Sequence, residues 1–467
     1  MSRKPRDTRV EKDSLGEIEV PADRYWGAAT QRSLKHFSIG TDLIPREVIH
    51  ALAVVKKASA LANRDLGVLP PDKADLIVRA AEEVMEGRLG ENFPLRVWMT
   101  GSGTQANMNV NEVIANRAIE LCGGNMGQKH PIHPNDHVNL SQSTNDAFPT
   151  AMNIAAALEI KGRLTPEVEG LKEALEKKAR EWMNIVKIGR THLQDAVPMF
   201  LGDEISGYAE MLSQFSGRTP SVMNGLLDLA IGGTMVGTGL LAPPGFGDRA
   251  AAYISGITGL SFRSARNKFA VMGAHDAMAA TMAHIKTLAV SLYKIANDIR
   301  FLSCGPRAGI AELTLPMNEP GSSIMPGKAN PTQCEAMSMA AVQVMGYDAA
   351  VAMACAGGDL EMNVYKPMII FNIIQSIRLL SDASANFREF LVRGMTPNLS
   401  RISSFVESSL MLVTALSARI GYDKAARIAL FAHEKGIGLK KAALELGFVS
   451  EEEFDAMVDP RAMARPH

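Results

Sequence analysis

Four polar islands interrupt otherwise apolar stretches of this 467-residue sequence, and each holds side chains suited to a small anion and its protons. The most informative is GSSIMPGKANPTQCE, residues 321–335. Gly321-Ser322-Ser323 reads as a mobile hydroxyl-bearing tip and Pro326-Gly327 as a turn. Asn330-Pro331 reads as a helix N-cap with Pro at the first helical position and Gln333 at the third. That pattern aims Lys328 and a helix N-terminus at one spot, an arrangement that stabilises a developing anion, as removal of a proton beside a carboxylate requires. A capped loop with a solvated lysine is the plainer alternative, and it leaves the Gly-Ser-Ser tip unexplained. A phosphate-binding Walker loop is excluded, because five residues separate Gly321 from Gly327 and Ala329 stands where a Mg²⁺-ligating hydroxyl is needed.

The first island, TGSGTQANMNVNEV at 100–113, contains the loose dinucleotide pattern Gly101-Ser102-Gly103-Thr104-Gln105-Ala106. Helical periodicity on both sides argues against a Rossmann unit, which needs strands alternating with helices. Ser102, Gly103 and Thr104 then read as a carboxylate-holding loop at a helix start, or as a plain glycine-rich cap. The second island, HPIHPNDHVNLSQSTND at 130–146, brings His130, His133, Asp136 and His137 together. Its prolines set an extended loop rather than the one-face helical spacing of a metal site, so no metal is expected. Ser143, Thr144 and Asn145 form a donor cluster ahead of a helix beginning at Pro149, with ordinary N-capping as the alternative. In the third, GRTHLQDAVP at 189–198, His192 flanked by Thr191 and Gln194 is either a satisfied loop histidine or, given a carboxylate partner, a proton carrier near neutral pH.

Composition narrows the classes. With 49 basic and 50 acidic residues the net charge is −1, so nothing in the whole-chain charge draws the protein to nucleic acid or an anionic membrane. The charge-free stretch Leu229–Gly247 holds six glycines and Pro243-Pro244 and cannot span a bilayer. The N-terminal MSRKPRDTRVEKD lacks an apolar segment, so a cytoplasmic protein is expected. Cys122, Cys304, Cys334 and Cys355 show no paired spacing and read as buried, reduced thiols.

The elements that must position the islands are helical. Twenty-six methionines against three tryptophans fit helix packing better than an aromatic-rich sandwich. Residues 8–20 alternate around Ser-Leu-Gly as a small hairpin, and little else reads as sheet. Apolar periodicity predicts helices over roughly 46–64, 72–87, 105–121, 149–183, 264–303, 332–356 and 367–392. Val271, Ala274, Met278, Thr281, Ile285, Leu288, Leu292, Ile295, Ile299 and Leu302 keep 3,4 spacing, a seam about 48 Å long at 1.5 Å per residue. The 367–392 helix is apolar on most faces, and residues 336–358 carry only Asp348 as a formal charge. This surplus apolar surface predicts a homo-oligomer packing helices across subunits. The domain reading is 1–142 mixed and mainly helical, 143–395 a central long-helix bundle, and 396–467 a small helical unit after Thr396-Pro397-Asn398.

In all four islands, and over essentially the whole chain, the sequence resembles the class II fumarases of the aspartase/fumarase superfamily, whose signature is GSSIMPGKANPTQCE. Aspartate ammonia-lyases share GSSIMP and NDHVN, but they usually carry Gln at the position of His192 and GAGTS in the first island. His192, GSGTQ and Thr332-Gln333-Cys334 favour the fumarase branch. The resemblance implies a mostly α, three-domain homotetramer with active sites shared between subunits. It further implies reversible hydration of fumarate to L-malate by anti addition, without metal or cofactor. Position by position, it makes Ser322 the base for the C3 proton. Lys328 and Asn330 hold the carboxylate that becomes dianionic, and His192, paired with Glu335, exchanges a proton with the leaving hydroxide through water. Ser102, Gly103, Thr104, Ser143, Thr144, Asn145, Thr191 and Ser323 complete the substrate-binding set. His133, Pro134, Asn135 and Asp136 match a secondary dicarboxylate site, although His130 replaces an arginine found in some relatives. Ala106 replaces a common Thr in what reads as a structural position. The competing readings are aspartate deamination and a helical scaffold that has lost activity, as in the lens crystallins related to argininosuccinate lyase.

Overall fold

The computed structural model describes residues 7–465; the first six residues, part of the stretch read for a leader, and the last two lie outside the described residues. The N-terminal alternation forms the expected hairpin, strand β1 (Thr8–Asp13) antiparallel to β2 (Gly16–Pro21). Helices α1 (Ala28–His36), α2 (Arg46–Asp65), α3 (Pro71–Met85) and α4 (Thr104–Leu121) follow. Then come α5 (Thr144–Glu159) and α6 (Thr165–Glu181), joined by one π turn over Ile160–Leu164. A second hairpin, β3 (Val186–Thr191) with β4 (Gln194–Phe200), leads into α7 (Leu201–Leu226). Short β5 (Asp228–Leu229) pairs in parallel with β6 (Arg263–Ser264), which lies beyond α8 (Phe246–Thr258). After α9 (Lys268–Gly273) and α10 (Asp276–Leu302), β7 (Leu313–Thr314) pairs with β8 (Thr396–Pro397) across the long helices α11 (Thr332–Ala356) and α12 (Lys366–Phe387). Short helices between Leu399 and Met463 complete the described chain.

The chain divides into two compact units, one of Met1–Pro166, Gly217–Thr287 and Gln343–Leu380, the other of Glu167–Ser216, Leu288–Val342 and Ser381–His467. In the first, α2 packs on α3, α4, α5 and α8 and is buried on most faces, with Leu52, Val54, Val55 and Lys56 all at 0% exposure. The 366–380 part of α12 is likewise covered all round, since Ile369, Ile370, Ile373, Ile374 and Ile377 are buried on successive faces. In the second, Leu412, Leu416, Ile428, Leu439 and Ala443 form the core of the C-terminal helices, and Ile188 of β3 packs into it.

Several expectations need correction. The 264–303 helix is two, because Gly273 lies against the Leu360 carbonyl and Ala274 turns extended (φ −120°, ψ 162°). The seam therefore begins at Met278, from which Thr281, Ile285, Leu288, Leu292, Ile295, Ile299 and Leu302 are all buried. The 149–183 helix starts at Thr144, with Pro149 inside it. The pairing of β3 with β4 and helix α8 lack strong sequence signals. Cys122 and Cys304 are exposed, while Cys334 is buried; all four thiols are free. Uncovered apolar surface lies on α11, where Met339, Val342 and Met353 are more than half exposed, and on α10, where Val290 and Phe301 are about half exposed; α11 alone among the described helices is long and apolar enough to cross a membrane.

Candidate active site

In the first unit, two loops present hydroxyls at helix starts. Residues 101–104 need their glycines: a Cβ on Gly101 would lie 1.3 Å from the Val364 carbonyl oxygen, and Gly103 (φ +82°) has the Phe148 ring 2.5 Å from where a Cβ would stand. The Lys366 N–H donates to the Gly101 carbonyl at 3.0 Å, tying down the loop. Ser102 is buried and shares a 2.8 Å hydrogen bond with the exposed Thr104, the first residue of α4. At the other loop Ser143 is an N-cap: its Oγ accepts from the Asn145 N–H at 3.2 Å while Asp146 accepts from the Ser143 N–H at 2.9 Å. The capping alternative therefore holds for Ser143, whose own O–H is left to donate elsewhere. Asn145 gives its amide to the Met235 carbonyl at 2.8 Å, and Thr144 Oγ1 accepts from Asn107 at 3.0 Å.

Beneath these loops lie charges that the sequence reading missed. Asp146 is fully buried and accepts from the Gly232 and Thr234 N–H groups at 3.0 and 2.9 Å as well as from Ser143. Burial pushes its carboxyl up to about 6, against the three main-chain donors that favour the ionised form. Lys56, also fully buried, donates to Asn139 and Gln142 at 2.9 Å each, and desolvation pulls it down to about 7. The sequence offers no signal for Lys56, because its neighbour Lys57 carries the same charge in the same helix.

The histidine-rich turn spends the Nδ1 atoms of His133 and His137 locally. His133 Nδ1 accepts from the Asn135 and Asp136 N–H groups at 3.2 and 3.1 Å, capping the π turn Pro134–Val138. His137 Nδ1 accepts from the His133 N–H at 2.8 Å, and its Nε2 lies 2.9 Å from the Lys73 ammonium. Desolvation lowers the pKa of both imidazoles. Among the described residues no group of three or more His, Cys, Asp or Glu is arranged to hold a metal. His133 and Asn135 line an open cavity of about 590 Å³ with Lys12, Lys129 and Asp13, the carboxylate of Asp13 being ion-paired with Arg32. Another cavity, about 680 Å³ and lined by Arg46, Glu47, His50, Glu159 and Arg378, contains none of the sequence-predicted residues.

In the second unit, His192 and Leu193 are the two central residues of the β3–β4 hairpin, between paired Thr191 and Gln194. Both have positive φ (58° and 60°), the geometry of a type I′ turn that normally selects Asn-Gly. An imidazole is thus held on an exposed, strained tip. Its strand is anchored behind by buried Glu312, which accepts from Arg190 at 2.9 Å. Lys187 donates to Glu204 at 2.7 Å and sits 3.0 Å from the other Glu312 oxygen, an ion pair without hydrogen-bond geometry.

Residues 321–330 close on themselves. Gly321 N–H donates to the Lys328 carbonyl at 3.1 Å and Asn330 Nδ2 to the Gly321 carbonyl at 2.6 Å. Lys328 N–H reaches back to Met325 across Pro326-Gly327, with Gly327 at φ +79°, a type II turn. Helix α11 starts at Thr332, so Asn330 pins the loop ends rather than capping the helix as expected. At the tip, Ser322 Oγ accepts from the Ile324 and Met325 N–H groups at 3.1 and 3.0 Å, donors that favour the alkoxide over the alcohol. Ser323 and Lys328 are exposed on the same loop, and Glu335 is exposed in the first turn of α11. Among the described residues no hydrogen bond or ion pair joins His192 to Glu335.

Two family models match the chain: one described as lyase over residues 16–346, and one described as the fumarase C C-terminus over 412–465. The chain is 59% identical to the class II fumarate hydratase of Thermosynechococcus vestitus, covering 97% of each, and 57% identical to that of Methanosarcina acetivorans, covering 97% of this chain and 94% of the relative. Its fold superposes on a crystal structure of recombinant class II fumarase from Schistosoma mansoni with a TM-score of 0.97, at 43% identity over 99% of this chain and all of the other. By whole-length identity and by fold, the chain belongs to the class II fumarases of the aspartase/fumarase superfamily.

Proposed function

We propose that this enzyme catalyses the reversible hydration of fumarate to L-malate by anti addition of water. The observation that carries the serine-base part of the reading is the pair of main-chain N–H groups on Ser322 Oγ. A free hydroxyl is far too weak a base for a carbon acid, and two fixed donors stabilise the alkoxide that accepts the proton. In the malate-to-fumarate direction that alkoxide takes the C3 proton. Lys328, with the remaining amide hydrogen of Asn330, holds the carboxylate as it becomes dianionic. His192, turned by Glu335, passes a proton through water to the hydroxide leaving C2. Ser102, Gly103, Thr104, Ser143, Thr144, Asn145, Thr191 and Ser323 bind the two carboxylates and the water, and His133, Pro134, Asn135 and Asp136 form a secondary dicarboxylate site. No cofactor enters this scheme.

The assembly we propose is a homotetramer with shared active sites and the three domains 1–142, 143–395 and 396–467. The exposed apolar face of α11 supports association through protein rather than lipid, because its Asp348 is ion-paired with Lys286 at 2.7 Å. Four unpaired thiols support a reducing compartment, the cytoplasm. Absorbance at 240 nm with fumarate or malate tests the activity. Ammonia release from L-aspartate would move the assignment to a deaminase, and a flat trace with all three substrates would leave a scaffold.

A further inference from the structure

We propose that Lys56 is a positioning residue for the substrate-binding set, acting through Asn139 and Asn107 to hold Thr144 as a hydrogen-bond donor toward a substrate carboxylate. The inference rests on the functional reading above. Lys56 lies at 0% exposure in the middle of α2, where a leucine or methionine would satisfy packing without the cost of burying an ammonium. Among the described residues no carboxylate accepts from it; its hydrogen bonds go to the amide oxygens of Asn139 and Gln142.

Asn139 is the hub of this arrangement. Its Oδ1 accepts from Lys56 at 2.9 Å and from both Asn107 and Asn111 of α4 at 3.2 Å, while its Nδ2 donates to the Gln142 carbonyl at 3.1 Å. Gln142 in turn donates to the Val138 and Leu140 carbonyls, so the whole 138–142 turn ahead of Ser143 is drawn onto the ammonium. Asn107 spends its second amide hydrogen on Thr144 Oγ1 at 3.0 Å. With that lone pair occupied, the Thr144 hydroxyl is left to donate its proton. Lys56 and Asn107 thus meet on one oxygen, Asn139 Oδ1: the ammonium fixes the acceptor that orients the Asn107 amide, and that amide in turn fixes Thr144. Such a device acts on bound dicarboxylate equally in the ground and transition states, so it governs KM more than kcat.

The test uses the full-length enzyme and fumarate kinetics. Lys56→Met keeps the stem and removes the charge; it should raise KM about tenfold with kcat lowered less than threefold. Asn107→Leu should do the same, and the double variant should be no worse than either single one, because both cut one chain. Asn109→Leu is the control on the same helix: its amide serves the Asn92 carbonyl, so it should lower the melting temperature and leave KM unchanged. KM within twofold of wild type in Lys56→Met, or in Asn107→Leu if the first does not fold, overturns the proposal, as does multiplication of the two effects in the double variant. Calorimetric binding of succinate to the same proteins separates the two readings. Wild type that binds succinate without hydrating fumarate sinks only the reaction, and unchanged succinate affinity in the variants sinks only the role of Lys56. Wild type that does neither overturns both.

Discussion

The loops of the first unit and those of the second hold their hydroxyls by opposite means. Ser102, Ser143 and Thr144 sit at helix starts near buried Lys56, Asp146 and Asn107 and half-buried Asn139, and each is fixed by at least one hydrogen bond to a side chain or N–H group. Ser322 and His192 project from exposed turns, one on a self-closing loop and the other on a hairpin tip with two left-handed residues. Binding a dianion rewards donors that never reorient, whereas proton transfer needs groups that reach the substrate and withdraw, so rigid floor and exposed tip suit the two tasks proposed for them.

The contrast can be broken at several points. Ser322→Ala should lower kcat roughly 10³-fold, equivalent to about 4 kcal/mol of barrier, with the circular dichroism and melting curve unchanged. A loss of stability instead would mean that the tip is structural after all. Gly101→Ala should cost about 3 kcal/mol or more in a chemical denaturation curve, since its Cβ has only the Val364 backbone to displace. A fully stable, active variant would show the floor to be softer than described. His275 sharpens the point through pH. It is buried, its Nε2 has no partner among the described residues, and desolvation together with the Lys366 charge pulls it down to about 3. The unfolded chain therefore binds a proton that the native one refuses between about pH 6.5 and 3, so stability falls with pH across that window. The first unit below 6.5 loses about 1.4 kcal/mol, from this group alone. Thermal melts in His275→Phe should show a shallower acid limb. Smallest of all, Leu193→Asn should gain about 0.5 kcal/mol by easing the left-handed turn, with kcat retained, as read by melting temperature.

Much of this contrast was legible in the residues themselves. The Gly-Ser-Ser tip, the Pro326-Gly327 turn and the glycines at 101 and 103 announce their geometry because few other residues adopt it. The 8–20 hairpin and most long helices follow from periodicity alone. What escaped was tertiary. The β3–β4 hairpin carries His-Leu where a type I′ turn normally carries Asn-Gly, so nothing local marked it. The start of α5 was placed at Pro149 because proline usually opens a helix, whereas the Ser143 and Asp146 capping box opens it five residues sooner. Asn330 has the right type and spacing for a cap and is claimed instead by Gly321, a contact across nine residues. Lys56 and Asn107 are ordinary letters in helical runs, and their roles exist only once α2 and α4 enclose Asn139.

The uncovered ridge of α11 has a consequence for the life of the polypeptide. A newly made copy leaves the ribosome with Met339, Val342 and Met353 facing water along a helix of 25 residues, an adhesive strip for anything apolar it meets. In the homotetramer proposed above, burial of that strip by another copy would be a second-order event, so its lag would lengthen as expression falls. Scarce synthesis would then leave solitary copies to proteases and chaperones, and abundance would be set by the pace of encounter as much as by the stability of any one subunit.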